Sequence, residues 1–322
     1  MIIERFGGLL IGGFGWQAPF LLLLPLTLLA LGCAWRDLPR DEAGSAEGGL
    51  PLTSLLLLVT ALLCYGLALT RGSPLGAWPG IGALVAMALF VRADSGARRP
   101  LLPLALLGAS RRRGGIIASA LVASVMVATL LIGPFYLHGA FALDMGTVGL
   151  MISMGPLLAA LSGMPAGWLV DRVGATPVVR LGLGLMVVAA VLLALLDRAL
   201  GPLGYLLPIL LLTAGYALFQ TANNSAVVGE AEGASRGAVA GLLTLSRNLG
   251  QLTGAAGLGG LFAALAGRPD LALATADELA FATRVTFALT ALLLMSALWL
   301  AGREERAAQD DATRDGCESG ER

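Results

Sequence analysis

What most restricts this chain is a succession of long apolar runs separated by short segments that carry arginine. A helix rises 1.5 Å per residue, so about 20 apolar residues cross a hydrocarbon core about 30 Å thick. Such runs cover about 17–35, 50–70, 78–92, 114–137, 146–170, 177–197, 203–227, 237–266 and 281–302, about nine spans, with 78–92 the shortest. Composition agrees. The chain is 57% hydrophobic and 13% charged with a mean hydropathy of +0.83, more apolar surface than a soluble domain of 322 residues can hide. The fold class is an all-α integral membrane protein.

Four segments follow. Residues 1–49 hold an apolar stub at 6–13, too short to cross, then one full span closed by Trp35-Arg36 and a polar linker over 41–49. The stub reads as the end of a helix whose beginning is absent. Met1-Ile-Ile-Glu-Arg5 has no clear basic region and the apolar stretch behind it is too long, so it is not a signal peptide. Residues 50–113 hold two further spans and a connector, 114–302 hold six spans, and 303–322 carry no apolar period and are expected to be a disordered tail. The connector, from Arg98-Arg99-Pro100 to Arg111–Arg113, reads either as an amphipathic segment on anionic headgroups or as a topogenic charge cluster.

Arginine placement gives the orientation. One set of alternate loops holds Arg36, Arg40, Arg92, Arg98, Arg99, Arg111–Arg113, Arg172, Arg180, Arg236 and the tail arginines; the other holds Arg71, Arg198 and Arg268. The first set is expected to be cytoplasmic, which puts the tail inside and, with an odd span count, the N-terminus outside. The location expected is the inner (plasma) membrane, multi-pass.

Several classes drop out. A formal net charge of zero gives no sign of nucleic-acid binding. Cys33 and Cys64 fall in apolar runs and Cys317 in the tail, so there is no disulfide framework, metal spacing or cofactor motif. His138, the one histidine, reads as a solvated loop residue. A membrane enzyme needs clustered acidic, histidine or cysteine groups, and none cluster, so no catalytic residue is assigned.

The stretch Gly163-Met-Pro-Ala-Gly167-Trp-Leu-Val-Asp171-Arg172-Val-Gly174-Ala-Thr-Pro177-Val-Val-Arg180 joins two spans by a charged turn. Thr176 is expected to cap the second helix with Pro177 as its first residue, and Arg172 to neutralise Asp171. The pattern Gly-x-Leu-x-Asp-Arg-x-Gly resembles the loop signature of the major facilitator superfamily of transporters. Phe14-Gly-Trp-Gln-Ala-Pro, Arg99-Pro-Leu-Leu-Pro-Leu, Arg236-Gly-Ala-Val-Ala-Gly241 and Arg247-Asn-Leu-Gly250 resemble, in order, segments of its fourteen-span drug:proton antiporter branch. The resemblance covers about 6–302. It implies a complete C-terminal six-helix bundle at 114–302, two extra linker spans before it, and a remnant of the N-terminal bundle. The first four spans and most of the fifth have no counterpart, and the Gly-Pro pair of the antiporter signature is replaced by Ile3-Glu4. Either the chain is cut short, or its missing N-terminal half comes from elsewhere, or the product is inactive, since such transporters rock two bundles about a shared site.

Candidate residues follow from polarity in apolar surroundings. Arg247 lies ten residues past Gly237, about 15 Å into its span, where a charge faces a cavity or a partner unless it snorkels. Asn248 follows it, and Gln251 at i+4 is expected on Arg247's face. The preceding span offers Gln220, Thr221, Asn223 and Asn224, either lining a substrate path or bridging helices, with Phe219 and Tyr216 as an apolar wall. Gly250 and Gly254 have the spacing of close helix packing, and Pro134 is expected to kink its helix. Gly167, Asp171, Arg172, Gly174 and Arg180 would form a conformational latch. Asp and Glu fall only at span ends, as Asp197 does, or in loops, so a proton carrier is expected in the missing part. The resemblance therefore implies proton-coupled export of amphipathic small molecules or drugs through a lipid bilayer. The alternative is a transport-inactive fragment or a half-transporter needing a partner.

Overall fold

The computed structural model describes residues 18–37, 51–70, 77–97, 100–102, 110–229, 235–267 and 271–320. The stub at 6–13, the linker at 41–49, Arg71, Arg98, Arg99 and Arg268 lie outside them. Two units divide the chain at Leu50. In the first, helix α1 (Ala18–Asp37) continues through Pro25. Leu21, Leu24, Leu28, Leu29, Leu31 and Trp35 are exposed.

The second unit begins with a hairpin of α2 (Leu52–Thr70) and α3 (Ala77–Ser95), packed on each other through Ala61, Ala83, Ala86 and Phe90. The Asp94 carboxylate is buried at the end of α3 and accepts from the Leu101 and Leu102 amides at 2.8 and 3.0 Å. Those bonds turn the chain out of the helix.

Six helices complete the unit: α4 (Ser110–Phe141), α5 (Met145–Val173), α6 (Ala175–Ala194), α7 (Gly201–Gly229), α8 (Ser235–Leu265) and α9 (Ala276–Gly320). They follow the six spans read from sequence. The shared interior is made of fully buried Val122, Ile132, Leu183, Met186, Leu212 and Phe287. The outward surface is equally apolar, with Leu157, Leu161, Leu195, Leu203 and Leu292 all more than half exposed. In water this would be one large patch; in lipid it is the solvent-matched face.

Among the described residues, six helical stretches are long and apolar enough to cross a membrane: Leu52–Thr70, Arg112–Phe141, Met145–Val173, Ala175–Ala194, Arg198–Gly229 and Ala276–Arg303. That is fewer than the nine runs counted from sequence. The difference is instructive at α8, whose interior holds Arg247, Asn248 and Gln251 as well as five glycines between Gly250 and Gly260. Its place in the bundle comes from packing against four neighbouring helices, not from hydropathy.

Local chemistry sets the helix ends. Asp144 caps α5, accepting from the Thr147 amide at 2.9 Å and the Thr147 hydroxyl at 2.7 Å, and these bonds hold its carboxyl below the usual range. Thr275 and Glu278 form a reciprocal capping box on α9. His138 lies in the last turn of α4, with Nδ1 2.8 Å from the Leu143 carbonyl, not in a loop. Pro134 leaves α4 unbroken.

At the charged turn the helices are longer than expected. α5 runs through Asp171 and Arg172 to Val173, and Gly174 alone separates it from α6. Gly174 has φ +88°, a conformation that favours glycine. The N-cap is therefore Gly174, not Thr176, and Pro177 falls within the first turn, where its missing N–H is harmless. α9 likewise continues past Arg303 to Gly320, where a disordered tail was expected. Residues 304–308, Glu-Glu-Arg-Ala-Ala, are strong helix formers and need no apolar face to extend an existing helix.

Candidate functional site

The bundle has two kinds of helix crossing. In lipid, apolar side chains gain little by meeting one another, so close approach rests on small residues and interhelical hydrogen bonds. A Cβ on Gly250 would fall on the Ala120 backbone, and one on Gly254 on the Ser124 backbone, so both glycines let α8 lie directly on α4. Ser124 donates to the Gly250 carbonyl at 2.7 Å, and Ser246 donates to the Ile116 carbonyl at 2.6 Å. Gly182 and Gly215 do the same for α6 and α7: a Cβ on Gly182 would sit 2.6 Å from the Phe219 amide nitrogen.

The amide of Asn223 belongs to this framework. It donates to the Gly115 carbonyl at 3.1 Å and the Ser119 hydroxyl at 2.9 Å, and Gly115 is small enough to admit it. Phe219 is buried in the core. Of the two readings open for Gln220, Thr221, Asn223 and Asn224, Asn223 makes the helix-bridging bonds, and Phe219, expected as a wall of a substrate path, packs into the core instead.

Asn224 points elsewhere. Toward the Gly229–Ser235 end, α7 and α8 part to leave an open cleft of about 620 Å³, lined by Asn224, Val228, Arg236, Ala240, Thr244 and Arg247. Arg247 is half-buried and donates to the Asn224 carbonyl oxygen at 3.4 Å and the Thr244 hydroxyl at 3.3 Å. Both bonds are long for N–H···O. A guanidinium has five donors in a planar fork, so this one is positioned but far from saturated. The cleft lies on the Ser235 side of Arg247, along positions 236, 240, 244 and 247. Asn248 and Gln251 are exposed outside it.

Gln220 is half-buried and its carbonyl oxygen has no hydrogen-bond partner among the described residues. Tyr216 lines a second cavity of about 210 Å³ between α4, α5 and α7, together with Met126, Met151, Gly155, Tyr205 and Thr213.

The residues expected to form a latch lie at and beside the α5–α6 turn, at the same end of the bundle as the cleft. Arg172 does not pair with Asp171 among the described residues; its guanidinium stacks 4.7 Å from the centre of the Trp168 ring. Adjacent residues of a helix do not face each other, whereas i and i+4 do. Arg303 repeats the arrangement on Trp299 at 4.5 Å. Gly167 and Arg180 are half-buried.

Residues 5–255 match a family described as the Major Facilitator Superfamily. This chain belongs to that superfamily. Major Facilitator Superfamily proteins are membrane transporters, and the relatives of this chain carry such names. The uncharacterised transporter YebQ of Escherichia coli is 30% identical over 75% of this chain and 54% of its own length. Riboflavin transporter RibZ of Clostridioides difficile is 27% identical over 80% of the chain and 56% of its length. The multidrug efflux pump LfrA of Mycolicibacterium smegmatis is 24% identical over 80% and 52%. The chain thus spans about half the length of the curated relatives it matches.

Sequence reasoning missed Gly115, Gly182, Gly215, Tyr205 and Asp94. Buried glycine and tyrosine inside an apolar run carry no local signal, since their partners sit on other helices.

Proposed function

We propose that the chain forms part of a fourteen-span drug:proton antiporter that exports amphipathic small molecules across the inner membrane. The observation that carries this reading is Arg247, a cation held by two long bonds in an open cleft of a membrane bundle. A charge in that setting is expensive unless it serves a solute or an ion. Relatives named for riboflavin transport and multidrug efflux agree with an organic substrate.

Arg247 and Asn224 meet the polar end of the substrate. Asn248, Gln251 and Gln220 join the path when a facing bundle closes over the exposed side of α8. The end bearing Arg172, Arg236 and Arg303 is cytoplasmic, with the Trp168–Arg172 and Trp299–Arg303 stacks at the lipid headgroups. Gly167, Asp171, Arg172, Gly174 and Arg180 latch that end against the facing bundle. Asp144, Asp171, Asp197, Asp277 and Glu278 all sit at helix ends, so the proton carrier lies outside this bundle.

The test is accumulation of a fluorescent amphipathic dye in a host lacking its own pumps, with the protein expressed from its complete reading frame. Export is expected to fall about tenfold or more in Arg247→Ala at equal membrane levels, with partial retention in Arg247→Lys. Equal export by Arg247→Ala overturns the assignment of the path. A second reading, a half-transporter needing a partner or an inactive fragment, draws on the match to about half of each relative. One bundle does not alternate access by itself. Export that appears only when a second polypeptide is supplied would favour the partner form.

A further inference from the structure

Tyr205 is 3% exposed, and its hydroxyl has no hydrogen-bond partner among the described residues. The ring is fixed by aromatic neighbours, with Tyr136 at 5.2 Å and Phe287 at 6.5 Å between centres. Its hydroxyl is thereby held beside Gly133, where an added Cβ would lie 3.1 Å from the oxygen. Both residues line the 210 Å³ cavity between α4, α5 and α7. Of the other hydroxyls there, Thr129 donates to the Met126 carbonyl and Thr213 to the Ile209 carbonyl, and Tyr216 contributes a third from the α7 side. Met126, Met151, Leu137 and Ile152 make the rest of the wall.

A buried hydroxyl without a partner costs about 1–3 kcal/mol. An apolar cavity of about 150 Å³ takes benzene and stays dry without it. This cavity is larger, and the ring contacts of Tyr205 hold its hydroxyl as a fixed donor. We infer that it is a binding pocket for a neutral aromatic group carrying a carbonyl or ether oxygen, with Tyr205 donating to that oxygen and the methionines fitting around the ring. The inference rests on the export reading for its purpose, since it gives the apolar end of an amphipathic substrate a place distinct from the Arg247 cleft. As a binding claim it stands separately.

Gly155 gives the means to close the pocket. A Cβ there would meet only the Thr213 hydroxyl, at 3.7 Å, so Gly155→Ala fits and Gly155→Leu fills the cavity. The experiment is fluorine NMR of para-fluoroacetophenone and para-fluorocumene titrated into the full chain in lipid nanodiscs, with empty nanodiscs subtracted. The ketone is expected to bind saturably. Tyr205→Phe should weaken it about fivefold and leave the hydrocarbon unchanged, as loss of one neutral hydrogen bond predicts. Gly155→Leu should remove both. If Gly155→Leu unfolds the chain by circular dichroism, the Tyr205→Phe comparison and Gly155→Ala decide. Ketone signal no greater than in empty nanodiscs, or insensitive to Tyr205→Phe, overturns the pocket. Export with no saturable ketone binding sinks this inference alone; saturable binding without export sinks the export reading alone.

Discussion

The two sides of α8 are built for opposite purposes. Against α4 it is dry and closed: Gly250 and Gly254 admit the neighbouring backbone, and Ser124 and Ser246 bond across the crossing at 2.7 and 2.6 Å. Against α7, toward the Ser235 end, it stands off, and Arg247 reaches Asn224 at 3.4 Å across an open cleft while holding Thr244 of its own helix at 3.3 Å. The same helix is thus polar twice over. In one place polarity replaces the missing hydrophobic drive between helices in lipid. In the other it is left partly unsatisfied, as the proposed solute site requires. The lesson is that polar content in a span does not separate structure from function, whereas bond length and enclosure do.

The largest effect should come from forcing the closed side apart. In Gly254→Leu the new side chain would begin within the Ser124 backbone, which no rotamer avoids. Overpacking of a tight core costs about 1–3 kcal/mol, and here backbone is the obstacle, so we expect loss of most folded protein from the membrane. Size-exclusion profiles in detergent check this, and a normal monodisperse peak would break the contrast. Arg247→Ala comes next and acts the other way: export falls about tenfold or more while the thermal midpoint stays within about 2 °C. A midpoint drop matching that of a seam variant would make Arg247 a packing residue.

Asn223→Leu is smaller in scope but sharper. It removes donors to Gly115 and Ser119 within the buried framework, so stability should fall by about 1–2 kcal/mol. Asn224→Leu, one residue away, should leave stability nearly unchanged and weaken export. Neighbours on one helix are turned by about 100°, so the pair measures the two environments with one chemistry. Chemical denaturation and dye export, run together, read both. A reversal of the two outcomes would exchange the roles assigned to α7's faces.

Sequence alone set out the six-helix bundle because each span's apolar length is a local property, visible without its neighbours. It also marked Arg247 and Asn224, since a cation or amide in an apolar run stands out. It left open whether Asn223 bridges helices or lines a path, because the deciding partners, Gly115 and Ser119, lie more than a hundred residues earlier. Gly182 and Gly215 carry no sign of their mutual approach for the same reason. The charged turn was misplaced by two residues, because Thr176-Pro177 has the chemistry of a helix start and the left-handed geometry of Gly174 overrode it. Helix chemistry names the permitted starts; the crossing of α5 and α6 selects one.

The smallest expected effect tests the cleft from within. Thr244→Val keeps a β-branched shape on α8 and deletes only the hydroxyl that accepts from Arg247 at 3.3 Å. A long bond at an exposed position contributes little to folding, so the thermal midpoint should move by less than about 1 °C. The guanidinium then has one fewer restraint, and the expected change is up to about twofold in apparent KM for export with Vmax preserved, as loss of positioning in binding implies. Ser246→Ala, two residues along, should instead lower the midpoint by a few degrees, consistent with about 0.6 kcal/mol or more for an interhelical bond in a bundle, and leave KM alone. If Thr244→Val costs as much stability as Ser246→Ala, the two sides of α8 are not different in kind, and the cleft is loose packing rather than a site.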